Sequence, residues 1–310
     1  MEKIICVAGP TASGKTRLAV ELAKKYDGEV LSCDSMQIYR GMEIGTAAPT
    51  ISEMQGVPHH MIGVADPKAD FSVGKYVELA APILQDILSR GKTCVVCGGT
   101  GLYADSLLLG RTFAPCPSTG VRDKLEADVN HTGIEPVLAR LKAVDPEAGA
   151  RLHPSDRRRI IRALEVYLET GETISKHNRK TKLLPPKHDA VWLGLSFENR
   201  QDLYDRIDLR VEKMLESGLL DEIRALLSSG VPPTATAMQA IGYKEFVDAL
   251  TNSGDIAAAA ALVQQRSRNY AKRQLTWLRR NEQIHWILQP REPDFSAVFQ
   301  QACANIPFFA

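Results

Sequence analysis

The sequence holds no apolar run near the roughly 18 residues that a bilayer-crossing helix requires, and its first residues enter strand texture at once instead of forming a basic, then apolar leader. Both absences speak against a membrane or secretory protein, so a cytoplasmic one is expected. Net charge is nearly absent as well: 38 Lys and Arg face 37 Asp and Glu, a formal balance of +1. Any surface for nucleic acid must therefore come from local clustering of cations. Cysteine is sparse and scattered, at Cys6, Cys33, Cys94, Cys97, Cys116 and Cys303. Cys94 and Cys97 have C-x-x-C spacing, but they lie in an apolar run with no second pair nearby, which favours a buried strand over a metal or redox site. Internal repeats and low-complexity segments are missing too. What remains is an ordinary globular composition, 44% hydrophobic and 24% charged over 310 residues, long enough for two structural units.

The strongest local signal stands at the start. Ile4-Ile5-Cys6-Val7-Ala8 leads into Gly9-Pro10-Thr11-Ala12-Ser13-Gly14-Lys15-Thr16, and Leu18, Ala19, Leu22 and Ala23 follow at helical spacing. G-x-x-x-x-G-K-T between a strand and a helix is a phosphate-binding loop. Gly9 and Gly14 let the backbone curl so that successive N–H groups point inward, and the positive end of the next helix adds to the same point. Lys15 can neutralise a terminal phosphate, and the Thr16 hydroxyl can hold Mg2+. The loop reports a bound polyphosphate and not its fate. A kinase, an ATPase and a diphosphate-releasing transferase all remain open.

A second strand candidate, residues 28–33, ends in Asp34-Ser35-Met36-Gln37. Ligands of open α/β sheets collect beyond the carboxyl ends of the strands, so Asp34 should face whatever the first loop holds. Residues 38–49 read as an ordered loop. Residues 58–64 read as a short strand whose neighbouring His59 and His60 point to opposite faces and make poor co-ligands for a metal. A helix is expected over 72–90, followed by a central parallel strand over 93–97 that delivers Gly98-Gly99-Thr100 to the same edge.

From about Thr112 the strand rhythm stops, broken by Pro115, Pro117 and Ser118-Thr119-Gly120, and it resumes only after Pro185-Pro186. The expected architecture is α/β: a P-loop NTPase-like parallel sheet with helices on both faces over residues 1–112 and 185–310, and an inserted all-helical domain over 113–184. The insertion carries Arg122, the run Asp156-Arg157-Arg158-Arg159-Ile160-Ile161-Arg162 and a basic tail from Lys176 to Lys182. After a strand at 191–197, a helix over 199–217 sets Arg206 and Arg210 one turn apart. A late helix over 255–281 repeats Arg266, Arg273 and Arg280 every seven residues beside Lys272 and Arg279, with Tyr270 and Trp277 close by. A cationic face flanked by aromatics suits a phosphate-rich polymer. Residues 284–288 add a last strand.

Residues 34–47, together with Pro58-His59-His60, Gly98-Gly99-Thr100-Gly101-Leu102-Tyr103, Leu152-His153-Pro154, Arg162-Ala163-Leu164-Glu165-Val166-Tyr167, Ile241-Gly242-Tyr243 and Lys272-Arg273-Gln274-Leu275-Thr276-Trp277-Leu278-Arg279, closely resemble the bacterial tRNA dimethylallyltransferase family, in order and over nearly the whole chain. The resemblance implies transfer of a dimethylallyl group from dimethylallyl diphosphate to the exocyclic amine of the adenosine just 3′ of the anticodon, with Mg2+ assisting and diphosphate released. The partner is then the anticodon stem-loop of tRNA. In this family the phosphate loop grips the prenyl donor's diphosphate, and whether ATP also uses it stays open. By position, Asp34 matches the proton acceptor, Thr100 a residue of the tRNA channel and Arg210 an arginine at the diphosphate. Asp34, Ser35, Met36 and Gln37, then Arg122, Arg158, Arg159, Ile160, Ile161 and Arg162, and finally Lys272, Arg273, Gln274, Trp277 and Arg279 fall where the family touches tRNA. Arg158 stands where a glutamine is common. The zinc finger that some eukaryotic relatives carry has no Cys/His set here to build it, and a monomer is the default.

The residues make sense of this chemistry on their own. An adenine amine is a poor nucleophile because its lone pair is delocalised into the ring, so a carboxylate such as Asp34 must accept its proton. Lys15, Arg210, the loop amides and Mg2+ can offset the charge on a leaving diphosphate. The target base must leave its stack, at a cost of a few kcal/mol, for a channel expected between core and insertion. Two other readings compete. A small-molecule phosphotransferase has no use for the basic late helix, and a nucleotide-switched RNA-binding protein leaves Asp34 and Thr100 without a role.

Overall fold

The computed structural model describes residues 2–114 and 119–307. Its strands β1 (Ile4–Ala8), β2 (Gly28–Ser32), β3 (His59–His60), β4 (Thr93–Gly98), β5 (Ala190–Phe197) and β6 (Ile284–Gln289) form one sheet in the order β3-β2-β4-β1-β5-β6, parallel throughout. Ile4, Cys6 and Ala8 of β1 join Cys94 and Val96 of β4 beneath the helices Val73–Ser89 and Gly101–Leu108. Ile5, Val7 and Val95 pack on the other face against the helices Lys15–Lys25 and Phe295–Ala304. Strands covered on both sides need unbroken apolar runs, which is why these sequences do not alternate. The same pleat separates the C-x-x-C pair: Cys94 enters one face of the core and Cys97 the other, and both thiols are free. His59 and His60 also part, His59 Nδ1 meeting the Val57 carbonyl and His60 Nε2 the Glu29 carboxylate, each at 2.8 Å. Residues 38–49, expected as loop alone, include the short helix Glu43–Thr46. Among the described residues no helix is long and apolar enough to cross a membrane.

The chain divides into two compact units, Met1–Leu109 with Lys187–Ala310, and Gly110–Pro186. The break expected at Pro115, Cys116, Pro117 and Ser118 lies outside the described residues. Among the described residues of the second unit, five helices, Val121–Thr132, Glu135–Val144, Pro146–Arg151, Arg157–Thr170 and Ile174–Lys182, surround a core of Leu125, Leu141, Leu164 and their neighbours. Ile160 and Ile161, expected in a tRNA-contacting run, are 0% and 1% exposed within that core. Helical periodicity turns them inward, so only the arginines of the run can meet a polymer. Arg162 and Arg122 are themselves engaged, each donating at 2.8 Å to the buried Glu165 carboxylate. Burial pushes that carboxyl up, but the hydrogen bonds from Arg122 and Arg162 prevail and hold it at about 2. Arg158 and Arg159 stay exposed.

If Ile161 is a core residue, Ile161→Ala should cost about 2–5 kcal/mol. Urea unfolding of the full chain measures this as a lower midpoint for the transition of this unit, and an unchanged midpoint would return the side chain to the surface.

Candidate active site

The carboxyl ends of β1, β2 and β4 bring residues 9–16, 34–37 and 99–100 to one edge of the sheet. Gly9 passes so close to β5 that a Cβ would lie 2.5 Å from the Leu195 carbonyl oxygen. Ala12 (φ 63°) and Gly14 (φ 87°) take the left-handed conformation that turns backbone amides into an anion-binding concavity. The helix Lys15–Lys25 starts there with no side-chain cap, so its first N–H groups and positive dipole end are left for a ligand. Three distant side chains hold the loop in this shape. Gln274 Oε1 accepts from the Thr11 amide at 2.9 Å, Arg206 Nε donates to the Ala12 carbonyl at 3.3 Å, and Gln289 Nε2 donates to the Ser13 carbonyl at 3.0 Å.

A cavity of about 360 Å3 opens beside the loop, lined by Thr11, Lys15, Thr16, residues 34–37, Arg210 and Arg273, and by the apolar side chains of Ile207, Val211, Met214, Ile241 and Val263. Lys15 Nζ donates to the Pro10 carbonyl at 2.6 Å. Desolvation, reinforced by nearby Arg210, brings the Lys15 ammonium down to about 8 although Asp34 opposes the shift. Desolvation lowers Arg210 as well, again against Asp34. One Arg210 nitrogen, Nη2, donates to the Thr46 carbonyl at 3.3 Å, while the buried Nε has no partner among the described residues. Two dehydrated cations sharing one cavity are each stabilised by an incoming anion.

Asp34 Oδ1 accepts from the amides of Met36 (2.8 Å) and Gln37 (3.3 Å), an Asx turn that fixes the carboxylate and leaves its second oxygen without a bond to the described protein. Thr100 does not line the cavity. Its hydroxyl accepts from the Ser35 amide at 3.2 Å and so braces the Asp34 turn. Tyr270 lines the cavity, and burial pushes its hydroxyl up to about 12.

The late helix, Ile256–Leu278, differs from the uniform basic face expected. Arg266 is paired with Glu245, and Arg268 holds both oxygens of Asp208 at 2.6 Å, so this half of the helix is tied to its neighbours. Exposed and without an ion pair among the described residues are Lys272 and Arg273 on the helix and Arg279 and Arg280 just past its end; Arg266 is exposed too but paired. Gln274, expected at the tRNA surface, is 6% exposed and spends both ends of its amide inside: besides Thr11 it bonds the Gly99 carbonyl, at 3.0 Å. A Cβ at Gly99 would fall 2.1 Å from that Gln274 nitrogen, so the two positions fit only as a pair. Trp277 is half-buried, its Nε1 donating to Asp105 at 3.0 Å. Gln289 and the apolar lining escaped the sequence reading. A glutamine ending an apolar strand was the one available hint of the former.

The family model described as IPP transferase matches residues 37–281, and one described as isopentenyl transferase matches residues 2–62. The chain belongs to the IPP transferase family. It is 41% identical to tRNA dimethylallyltransferase 1 of Pelobacter propionicus, covering 98% of this chain and 97% of that one, and 44% identical to tRNA dimethylallyltransferase 2 of Geotalea uraniireducens over 99% and 97%. Among solved structures, the tRNA isopentenylpyrophosphate transferase of Bacillus halodurans matches with a TM-score of 0.73 at 38% identity, covering 99% and 97% of the two chains. A eukaryotic dimethylallyltransferase described as acting on tRNA matches with a TM-score of 0.83 at 30% identity, over 98% of this chain and 77% of that one. These two solved structures thus share the fold of this chain.

Among the described residues no three His, Cys, Asp or Glu side chains cluster as a metal cage. The hydroxyl of Thr16 and the carboxylate of Asp34 do share the cavity. Such a sparse, all-oxygen set fits Mg2+, which uses one or two protein oxygens and takes the rest from phosphate and water.

Because Lys15 must be charged to hold an anion, and is neutral above about 8 in the free protein, binding of a diphosphate monoester should weaken by up to about tenfold per pH unit above that point. Calorimetric titration from pH 7 to 9.5 reads this slope, and a flat profile would contradict the role given to Lys15.

Proposed function

We propose that the chain transfers a dimethylallyl group from dimethylallyl diphosphate to the exocyclic amine of the adenosine 3′-adjacent to the anticodon of tRNA, releasing diphosphate, and that it works as a monomer in the cytoplasm. The observation that carries this reading is the composition of one cavity: two desolvated cations beside a phosphate loop, an apolar lining and a carboxylate with an unused oxygen. The family membership supports a tRNA acceptor and is consistent with a prenyl donor.

The chemistry follows from these groups. The diphosphate lies on the loop amides, Lys15 and Arg210, and the five-carbon tail lies among Ile207, Val211, Met214 and Val263, which keep water from the allylic carbon. The adenine nitrogen attacks the first carbon of the dimethylallyl group as its C–O bond breaks. The electron pair leaves with the diphosphate, and the proton of the amine passes to Asp34. The Asx turn at Met36 and Gln37 holds that carboxylate still while this happens. Lys15 and Arg210 stabilise the charge gathering on the leaving group, each such hydrogen bond contributing about 1.5–3 kcal/mol. Thr16 would hold Mg2+ together with the donor's phosphate oxygens, where the ion supplies further positive charge to the leaving group. Lys272, Arg273 and Arg279, with Arg158 and Arg159 in the helical unit, meet the tRNA phosphates and offset the cost of extruding the base.

Incubation with unmodified tRNA, Mg2+ and dimethylallyl diphosphate, followed by digestion and mass analysis, should yield prenyl-adenosine, and ATP in place of the prenyl donor should yield none. Asp34→Asn should lower turnover by about 10²–10⁴-fold while tRNA affinity holds. Unchanged turnover would remove Asp34 from the reaction.

A further inference from the structure

The cavity wall formed by Gly45, Thr46 and Ala47 belongs to a short turn whose own bonds are all local: the Thr46 hydroxyl to the Met42 carbonyl, and the Ala47 and Ala48 amides to the Ile44 and Glu43 carbonyls. The helix Glu43–Thr46 is a single turn with no buried residue, and Ala47 closes it at a left-handed φ of 45°. Yet this turn carries the Thr46 carbonyl to which Arg210 is anchored, and the Thr46 and Ala47 carbonyls also receive the Gln37 amide, at 3.4 and 3.1 Å. A further tie to the rest of the fold comes from outside the cavity. Glu222, on the helix Leu219–Ser228, accepts from the Ile44 amide at 2.7 Å through one carboxylate oxygen and from the Gly45 amide at 3.0 Å through the other. Tyr243, fully buried, donates its hydroxyl to the same carboxylate at 2.6 Å and packs its ring where a Cβ on Gly45 would stand, 2.5 Å away.

We infer that Glu222, oriented by Tyr243, is a positioning residue for diphosphate binding: it pins the turn of residues 44–47 so that Arg210 presents its guanidinium to the diphosphate. Glu222 touches no reacting group and acts through Arg210. Its carboxylate satisfies two amides that start the short helix, and its negative charge suits that helix end. A neutral or shorter side chain leaves at least one amide without its acceptor and frees the Thr46 carbonyl to move.

The inference rests on the reading that this cavity takes a diphosphate, and the test separates the two. Inorganic diphosphate with Mg2+ is titrated calorimetrically into the full chain. Glu222→Ala should weaken binding about tenfold and Tyr243→Phe, which keeps the ring and the fold, about threefold. The double variant Glu222→Ala with Arg210→Ala should bind no more weakly than Arg210→Ala alone, because both losses pass through one group. Val247→Ala, which thins the same core, should lower the melting temperature and leave diphosphate affinity unchanged. Wild-type affinity in both Glu222→Ala and Tyr243→Phe, or losses that add fully in the double variant, would overturn this inference alone. A wild-type chain that binds no diphosphate would overturn the reading beneath it as well.

Discussion

The shape of residues 9–16 is the constraint on which the rest depends. A loop that aims its amides at one point forgoes pairing them with its own backbone, and it includes a left-handed alanine at residue 12. Such a loop persists only if its surroundings fix it. Here the surroundings are specific: a glutamine from the late helix, an arginine from the helix Arg200–Glu216 and a glutamine from the end of β6 each take one backbone group of the loop. Sheet, late helix and C-terminal strand therefore support one another through the phosphate site.

This arrangement also explains the electrostatics of the cavity. Lys15 and Arg210 are held where water is scarce, Arg210 raises the cost of charging Lys15, and Asp34 is a nearby opposing charge for both. Binding a dianionic group there removes a repulsion that folding had to accommodate. The same arithmetic limits the late helix, whose arginines divide between tying helices together and facing outward. In the helical unit Arg122 and Arg162 already serve Glu165.

Much of the fold was legible because its signals are local. Apolar runs such as residues 4–8 and 93–97 name central strands, and the glycine–lysine–threonine spacing names the loop and the helix after it. Asp34 was legible by topology, since the end of β2 must reach the same edge as the end of β1. What was hidden depends on partners far along the chain. Gln274 looked like a surface residue within a basic motif, and nothing in its neighbours announces the Thr11 amide and the Gly99 carbonyl that enclose it. Ile160 and Ile161 sat in a cationic run whose charge drew attention from a 3.6-residue period that turns them inward. Glu222 and the apolar lining were invisible for the same reason, because each acquires its meaning only when separate helices meet.

The central claim is that one cavity receives a prenyl diphosphate and an extruded adenine together, and a complex structure tests it most directly. With a non-reacting donor analogue and an anticodon stem-loop bound, the account predicts the diphosphate on Lys15 and Arg210 and the adenine amine within about 3 Å of the Asp34 carboxylate. An adenine that stays stacked in its loop, or a diphosphate seated away from Lys15 and Arg210, would contradict it.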